Sequence, residues 1–136
     1  MAFATLKRYG KSLFTDGFEW DGKVLKPYGK STTAGWEFDG RLLKPFGQSM
    51  EKGYEWDGRR LRPYGRSLNL GFEFDGHVIK PFARSIEDGF EINASTCVPY
   101  RRSLNNGWEI RGEIPVPVIG LAVFELIKSE PAEKSD

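Results

Sequence analysis

The chain has 136 residues, with 20 Lys and Arg against 19 Asp and Glu, so it is long enough to bury a core and short enough for one domain. That near-neutral balance removes the global electrostatic argument for nucleic acid or an acidic membrane surface. Its single cysteine, Cys97, excludes an intrachain disulfide and a cysteine-based zinc site.

The opening MAFATLKRYG has no basic segment followed by an apolar run and does not read as a secretory signal, which points to the cytoplasm. LKRYGKS (Leu6 to Ser12) is the second half of a phrase that recurs downstream, with Arg8 where the later copies have proline. One extra residue follows before Gly17. Then comes FEWDGKVLKPYGKS (Phe18 to Ser31), repeated as WEFDGRLLKPFGQS, YEWDGRRLRPYGRS and FEFDGHVIKPFARS. Glutamate returns every 18 residues, at Glu19, Glu37, Glu55, Glu73, Glu91 and Glu109. Glycines from Gly17 to Gly107 and prolines from Pro27 to Pro117 keep the same step, so six units stand in strict register.

Within each unit, Asp-Gly between two short apolar-polar alternations is a strong hairpin signal, because both residues tolerate the positive φ of a type I′ turn. A two-residue turn at Asp21-Gly22 sets Trp20 beside Lys23, Glu19 beside Val24 and Phe18 beside Leu25. One face then carries Phe18, Trp20, Leu25 and Pro27, and the other Glu19, Val24, Lys26 and Tyr28. Pro27 lacks an N–H and belongs at a strand end. Gly29-x-Ser31 reads as the turn into the next unit, and Asp16, Asp21, Asp39, Asp57 and Asp75 read as turn residues. The glycine and proline density excludes a helical unit.

The last units change. Asn93-Ala94 and Arg111-Gly112 replace Asp-Gly, and Val98 and Val116 replace the basic residue. IPVPVIGLAVFELIK from Ile114 is apolar but only 15 residues long, short of the roughly 20 of a membrane span. It is expected to close or plug the assembly as a strand followed by a short helix or strand. The domain is expected to cover residues 1–128, with residues 129–136 a disordered polar tail.

Isolated hairpins are marginal in water, so the six must bury one another's faces. A radial, closed, flower-like all-β domain is expected, completed by pairing the leading half-unit with the end of the chain; an open hairpin solenoid is the alternative. The WDG or FDG turns, the LKPYG second strands and the apolar IPVPVIGLAVF finish give residues 6 to 127 a design that resembles the small bacterial β-flower proteins. That resemblance implies hairpins around a pseudo-symmetry axis and supplies no catalytic residues. The tandem Trp-Tyr-Tyr signature of choline- and glucan-binding repeats is absent.

The glutamates are expected to pair across strands with Lys26, Lys44, Arg62 and Lys80, each diagonal to the Glu of its own hairpin, rather than to hold a metal. Phe18, Trp20, Trp36, Phe38, Tyr54, Trp56, Phe72, Phe74, Phe90 and Trp108 are expected to form the core. A second row, Tyr28, Phe46, Tyr64, Phe82 and Tyr100, lies among Lys30, Arg66, Arg84, Arg101 and Arg102, with Arg59 and Arg60 taken to be near. Tyr28, Lys30, Phe46, Tyr64, Arg66, Phe82, Arg84, Tyr100 and Arg102 are therefore the candidate ligand-binding residues, since alternating rings and cations suit anions or glycans. His77 reads as an exposed residue after a turn, and Cys97 as a core residue in a leucine's place. The expectation is a non-catalytic structural or protein-interaction module with a protein partner or self-association, or alternatively a binder of glycans or anionic ligands. No enzyme, cofactor, metal, membrane or nucleic-acid role is expected.

Overall fold

The computed structural model describes residues 4–127; the expected tail, 129–136, lies outside them. Strands β1 (Ala4–Arg8), β2 (Gly17–Trp20), β3 (Val24–Pro27), β4 (Trp36–Phe38), β5 (Leu42–Pro45) and β6 (Tyr54–Trp56) are followed by β7 (Arg60–Pro63), β8 (Phe72–Phe74), β9 (Val78–Pro81), β10 (Phe90–Ile92), β11 (Thr96–Pro99) and β12 (Trp108–Arg111). All 12 close into one antiparallel barrel in chain order, with β1 lying between β12 and β2. The leading half-unit thus completes the sixth hairpin by pairing with the last strand, Leu6 opposite Ile110. Successive hairpins also pair side by side, Leu25 opposite Trp36 for instance, so the wall is continuous and exposes no sheet edge.

The hairpin register differs from the sequence expectation by two residues. Trp20 faces Leu25, Glu19 faces Lys26 and Phe18 faces Pro27. The cause is the turn, which is centred on Gly22-Lys23: Gly22 takes φ +99°, while the Asp21 Oδ1 accepts the Lys23 and Val24 N–H groups at 2.9 and 2.8 Å. Asp39, Asp57 and Asp75 repeat this carboxylate cap. Asp16 does not; it ends a helical turn.

The connectors are not simple loops. Ser31 accepts the Thr33 N–H and starts a single 3-10 turn over Thr32–Ala34, and Ser49, Ser67, Ser85 and Ser103 do the same. After Ser12 the extra residue widens this turn into one α-helical turn, α1 (Leu13–Asp16), closed by Asp16 N–H to the Ser12 carbonyl at 2.9 Å. Each turn ends on a glycine for steric reasons: a Cβ on Gly53 would lie 2.3 Å from the Leu43 carbonyl oxygen.

Inside the wall the side chains form layers. Leu6, Leu25, Leu43, Leu61, Ile79 and Cys97 make a middle layer, each with 0% exposure. An aromatic layer flanks it on the connector side (Phe18, Trp36, Tyr54, Phe72, Phe90, Trp108), with Trp36–Tyr54 and Tyr54–Phe72 centroids 6.3 and 6.4 Å apart. A second layer on the hairpin-tip side has Trp20, Phe38, Trp56 and Phe74 but Ile92 and Ile110 in the last two hairpins. Trp36, Tyr54, Trp56, Phe72, Phe74 and Phe90 are half-buried rather than sealed.

Twelve strands enclose more space than their own side chains fill. Helix α2 (Val116–Val123) occupies it, with every residue from Pro117 to Val123 buried, as an all-apolar helix requires. Its eight residues span about 12 Å, matching strands of four residues at about 13 Å. It enters beside Trp20 and Ile110 at the tips and ends where Phe124 meets Phe72 and Phe90, with centroids at 4.5 and 5.2 Å. Arg8, in the place of the repeat proline, lies 4.7 Å over the Trp108 ring and donates to Glu125 at 3.1 Å, tethering the end of the plug. Among the described residues no helix is long and apolar enough to cross a membrane.

Candidate functional site

The second aromatic row is built by the backbone. The N–H of Tyr28 donates to the Gly17 carbonyl, and Phe46, Tyr64, Phe82 and Tyr100 donate likewise to Gly35, Gly53, Gly71 and Gly89, at 2.9–3.1 Å. All five rings are half-buried at the connector end of the barrel. Two residues on, Lys30, Arg66, Arg84 and Arg102 are exposed, while the corresponding residue of the second hairpin is Gln48. The structure adds the sixth copy that the sequence reading omitted: Tyr9, whose N–H donates to Gly107 at 2.9 Å, and Lys11. Their signal is the half-unit LKRYGKS, in which Tyr9 and Lys11 stand in register with Tyr28 and Lys30.

The row is a circle of separate sites. Among the described residues no ring contact joins two of its members; Tyr28 instead meets Phe14 edge-on at 5.0 Å. Arg101 lies 5.5 Å from the centroid of Tyr100 and takes φ +60° where four other units have glycine. Arg59 and Arg60, expected near this row, are at the opposite end, in and beside the third hairpin tip. Strand β7, which begins at Arg60, runs from them to the connector.

The outer wall carries the ion pairs. Lys26–Glu19, Lys44–Glu37, Lys80–Glu73 and Arg62–Glu55 lie at 2.5, 2.6, 2.7 and 3.1 Å. They sit directly opposite one another, not on a diagonal. Glu19, Glu37 and Glu73 also accept the N–H of Gly29, Gly47 and Ala83 at 2.9–3.0 Å, so each carboxylate fixes a turn of the aromatic row, with a cation two residues after the ring in the first and third of these and Gln48 in the second. The Lys44 ammonium and the Gly47 N–H hold the Glu37 carboxyl below its ordinary value, and Lys80 and the Ala83 N–H do so for Glu73. Burial pushes Glu19 upward, but Lys26 and the Gly29 N–H outweigh it and leave it lowered. Cys97 is fully buried and its thiol is pushed up to about 12 by burial. Among the described residues no group of three His, Cys, Asp or Glu side chains could hold a metal.

A cleft of about 650 Å³ opens at the tip end between α2 and the wall, lined by Trp20, Ile92, Ile110, Ile114 and Ile119 with Asn93 and Glu113 at its mouth. It lies where the fifth and sixth hairpins lose their aromatic residue and their Asp-Gly turn. The smaller isoleucines make room for the incoming helix, which accounts for that divergence.

The chain matches no family model, no curated protein and no solved structure.

Proposed function

We propose that this protein is a non-catalytic interaction module, a closed scaffold that offers one aromatic–cation unit repeatedly to a protein partner around one end of the barrel. The observation that carries this reading is the completed circle: six backbone-anchored rings, Tyr9 to Tyr100, with a Lys or Arg two residues on in five of them. Equivalent weak contacts at fixed spacing gain by avidity when the partner is itself repetitive. The cations favour a partner with spaced carboxylates. Repetition also gives each unit a similar environment, whereas catalysis needs one asymmetric group of titratable side chains. Among the described residues the strands have at most five residues, shorter than the 9–11 of a membrane-spanning strand, and the ion-paired outer wall suits water.

The test is binding of a multivalent acidic peptide to the full chain while Arg66→Ala, Arg84→Ala and Arg102→Ala accumulate. Avidity requires a graded loss with each added substitution. Abolition by one of them alone, or no loss from all three, sinks the reading. A second reading, a binder of glycans or small anions, draws on the Arg101–Tyr100 contact and the half-buried rings. Loss of glycan binding in Tyr64→Ala/Arg66→Ala with unchanged folding would select it.

A further inference from the structure

The outer wall repeats a pairing pattern in which one position alone, Arg60, places a second cation beside a glutamate of the next hairpin. Glu19, Glu37, Glu55 and Glu73 each face the cation of their own hairpin on one side, whereas Glu91 faces Val98; on the other side Glu37, Glu55, Glu73 and Glu91 face the outward residue of the preceding hairpin. That second residue is Val24 before Glu37, Leu42 before Glu55 and Val78 before Glu91. Val24 and Val78 are 4% and 3% exposed, so the fold uses this position for packing. Before Glu73 it is Arg60, and Arg60 is exposed. Glu73 already has Lys80 at 2.7 Å. Arg60 is therefore a cation that the packing of the wall does not require and that adds to the Lys80–Glu73 ion pair without making one of its own.

It stands between two other exposed arginines. A groove of about 280 Å³ is lined by Arg41, Glu55, Asp57, Arg60, Arg62 and Leu68. A second, of about 120 Å³, is lined by Arg59, Arg60, Glu73, Asp75 and Lys80. The carboxylates in both are occupied: Glu55 by Arg62, Glu73 by Lys80, and Asp57 and Asp75 by two turn N–H groups each at 2.8–2.9 Å. Among the described residues Arg41, Arg59 and Arg60 have no carboxylate within ion-pair distance.

We propose that this face of the third hairpin binds a pyrophosphate unit, with one phosphoryl group in each groove, Arg60 bridging both, and Arg41 and Arg59 holding the outer oxygens. The planar guanidinium fork suits bidentate contact with phosphoryl oxygens. Two adjoining grooves that share one arginine fit two linked anionic groups better than one. The site is separate from the connector-end circle, so each can fail without the other.

The experiment is calorimetric titration of the full chain with inorganic pyrophosphate, and in a second arm with a nucleoside diphosphate, at fixed ionic strength. Arg60→Val is the decisive variant, because valine is what the wall already carries at Val24 and Val78, so the fold accommodates it. Pyrophosphate affinity is expected to fall roughly tenfold or more in Arg60→Val, the usual loss of a charge-assisted hydrogen bond, and to stay unchanged in Lys52→Ala, an exposed lysine of a connector turn outside both sites. Equal affinity in the two arms assigns the site to the pyrophosphate unit alone; tighter binding of the nucleotide adds a contact of its base or sugar near Leu68. Wild-type protein that binds neither ligand, or Arg60→Val that binds both as wild type does, overturns the proposal.

Discussion

The first and third hairpins share one frame and use it differently. In the first, β2–β3, Phe18 is 1% exposed and Val24 4%, and the Lys26 and Glu19 side chains are only 18% and 15% exposed. In the third, β6–β7, Tyr54 stands in the place of Phe18 and is half-buried, Arg60 replaces Val24, and the Arg62 side chain of the ion pair is 46% exposed. Burial raises the Tyr54 hydroxyl above its ordinary value. The middle layer is the same in both, Leu25 and Leu61 each at 0%. The comparison separates two tasks within one repeat: the inner leucine holds the barrel together, and the outward positions are free to diverge toward surface chemistry once a neighbouring hairpin supplies the packing.

The strongest way to break this comparison is at the shared layer. Leu25→Ala and Leu61→Ala should each cost about 2–5 kcal/mol in urea denaturation; a Leu61 cost well below that of Leu25 would mean that the third hairpin is loose inside as well as outside. Exchanging the outward residues comes next. Val24→Arg should lose roughly 1.5–3 kcal/mol of buried apolar surface, whereas Arg60→Val should stay within about 0.5 kcal/mol of wild type. Equal and opposite changes would show that the third position is structural after all.

The smallest effect concerns acid. The folded Glu19 carboxyl is held below its ordinary value of 4.5, so its contribution to stability is complete above that value and is lost as pH falls through the lower folded one. Glu19→Gln should therefore flatten the acid limb of a melting-temperature profile. A limb as steep as that of wild type would assign acid sensitivity to other carboxylates.

Much of this was legible because a strand has period two. The expected register was two residues off, and yet Phe18, Trp20, Leu25 and Pro27 still share the inner face, since a shift of two preserves parity. The closed ring of six and the apolar plug followed from the 18-residue step and from the run after Ile114. The helical turns were missed, although each 3-10 turn has a serine N-cap four residues before its glycine, as at Ser31 and Gly35, and α1 has one five before, Ser12 and Gly17. Arg59 and Arg60 were grouped with Arg66 because they are near in sequence; the intervening strand carries them to opposite ends of the barrel. The surplus at Arg60 became visible only when the neighbouring hairpin supplied Glu73 opposite it.

Barrel closure by β1 and β12 also sets an order of assembly. Paired residues within a hairpin are 7 positions apart, as Glu19 and Lys26 are, whereas Leu6 and Ile110 are 110 − 6 = 104 apart. Bringing the distant pair together costs about 2 kcal/mol more loop entropy than closing one hairpin. Local hairpins form fast and the long-range seam forms late. The segment that fills the lumen follows β12 in the chain, so it reaches its place as the seam shuts. Helix α2 therefore follows directly in the chain the strand that closes the seam, so filling the lumen and shutting the wall draw on one stretch of sequence, Trp108 to Val123.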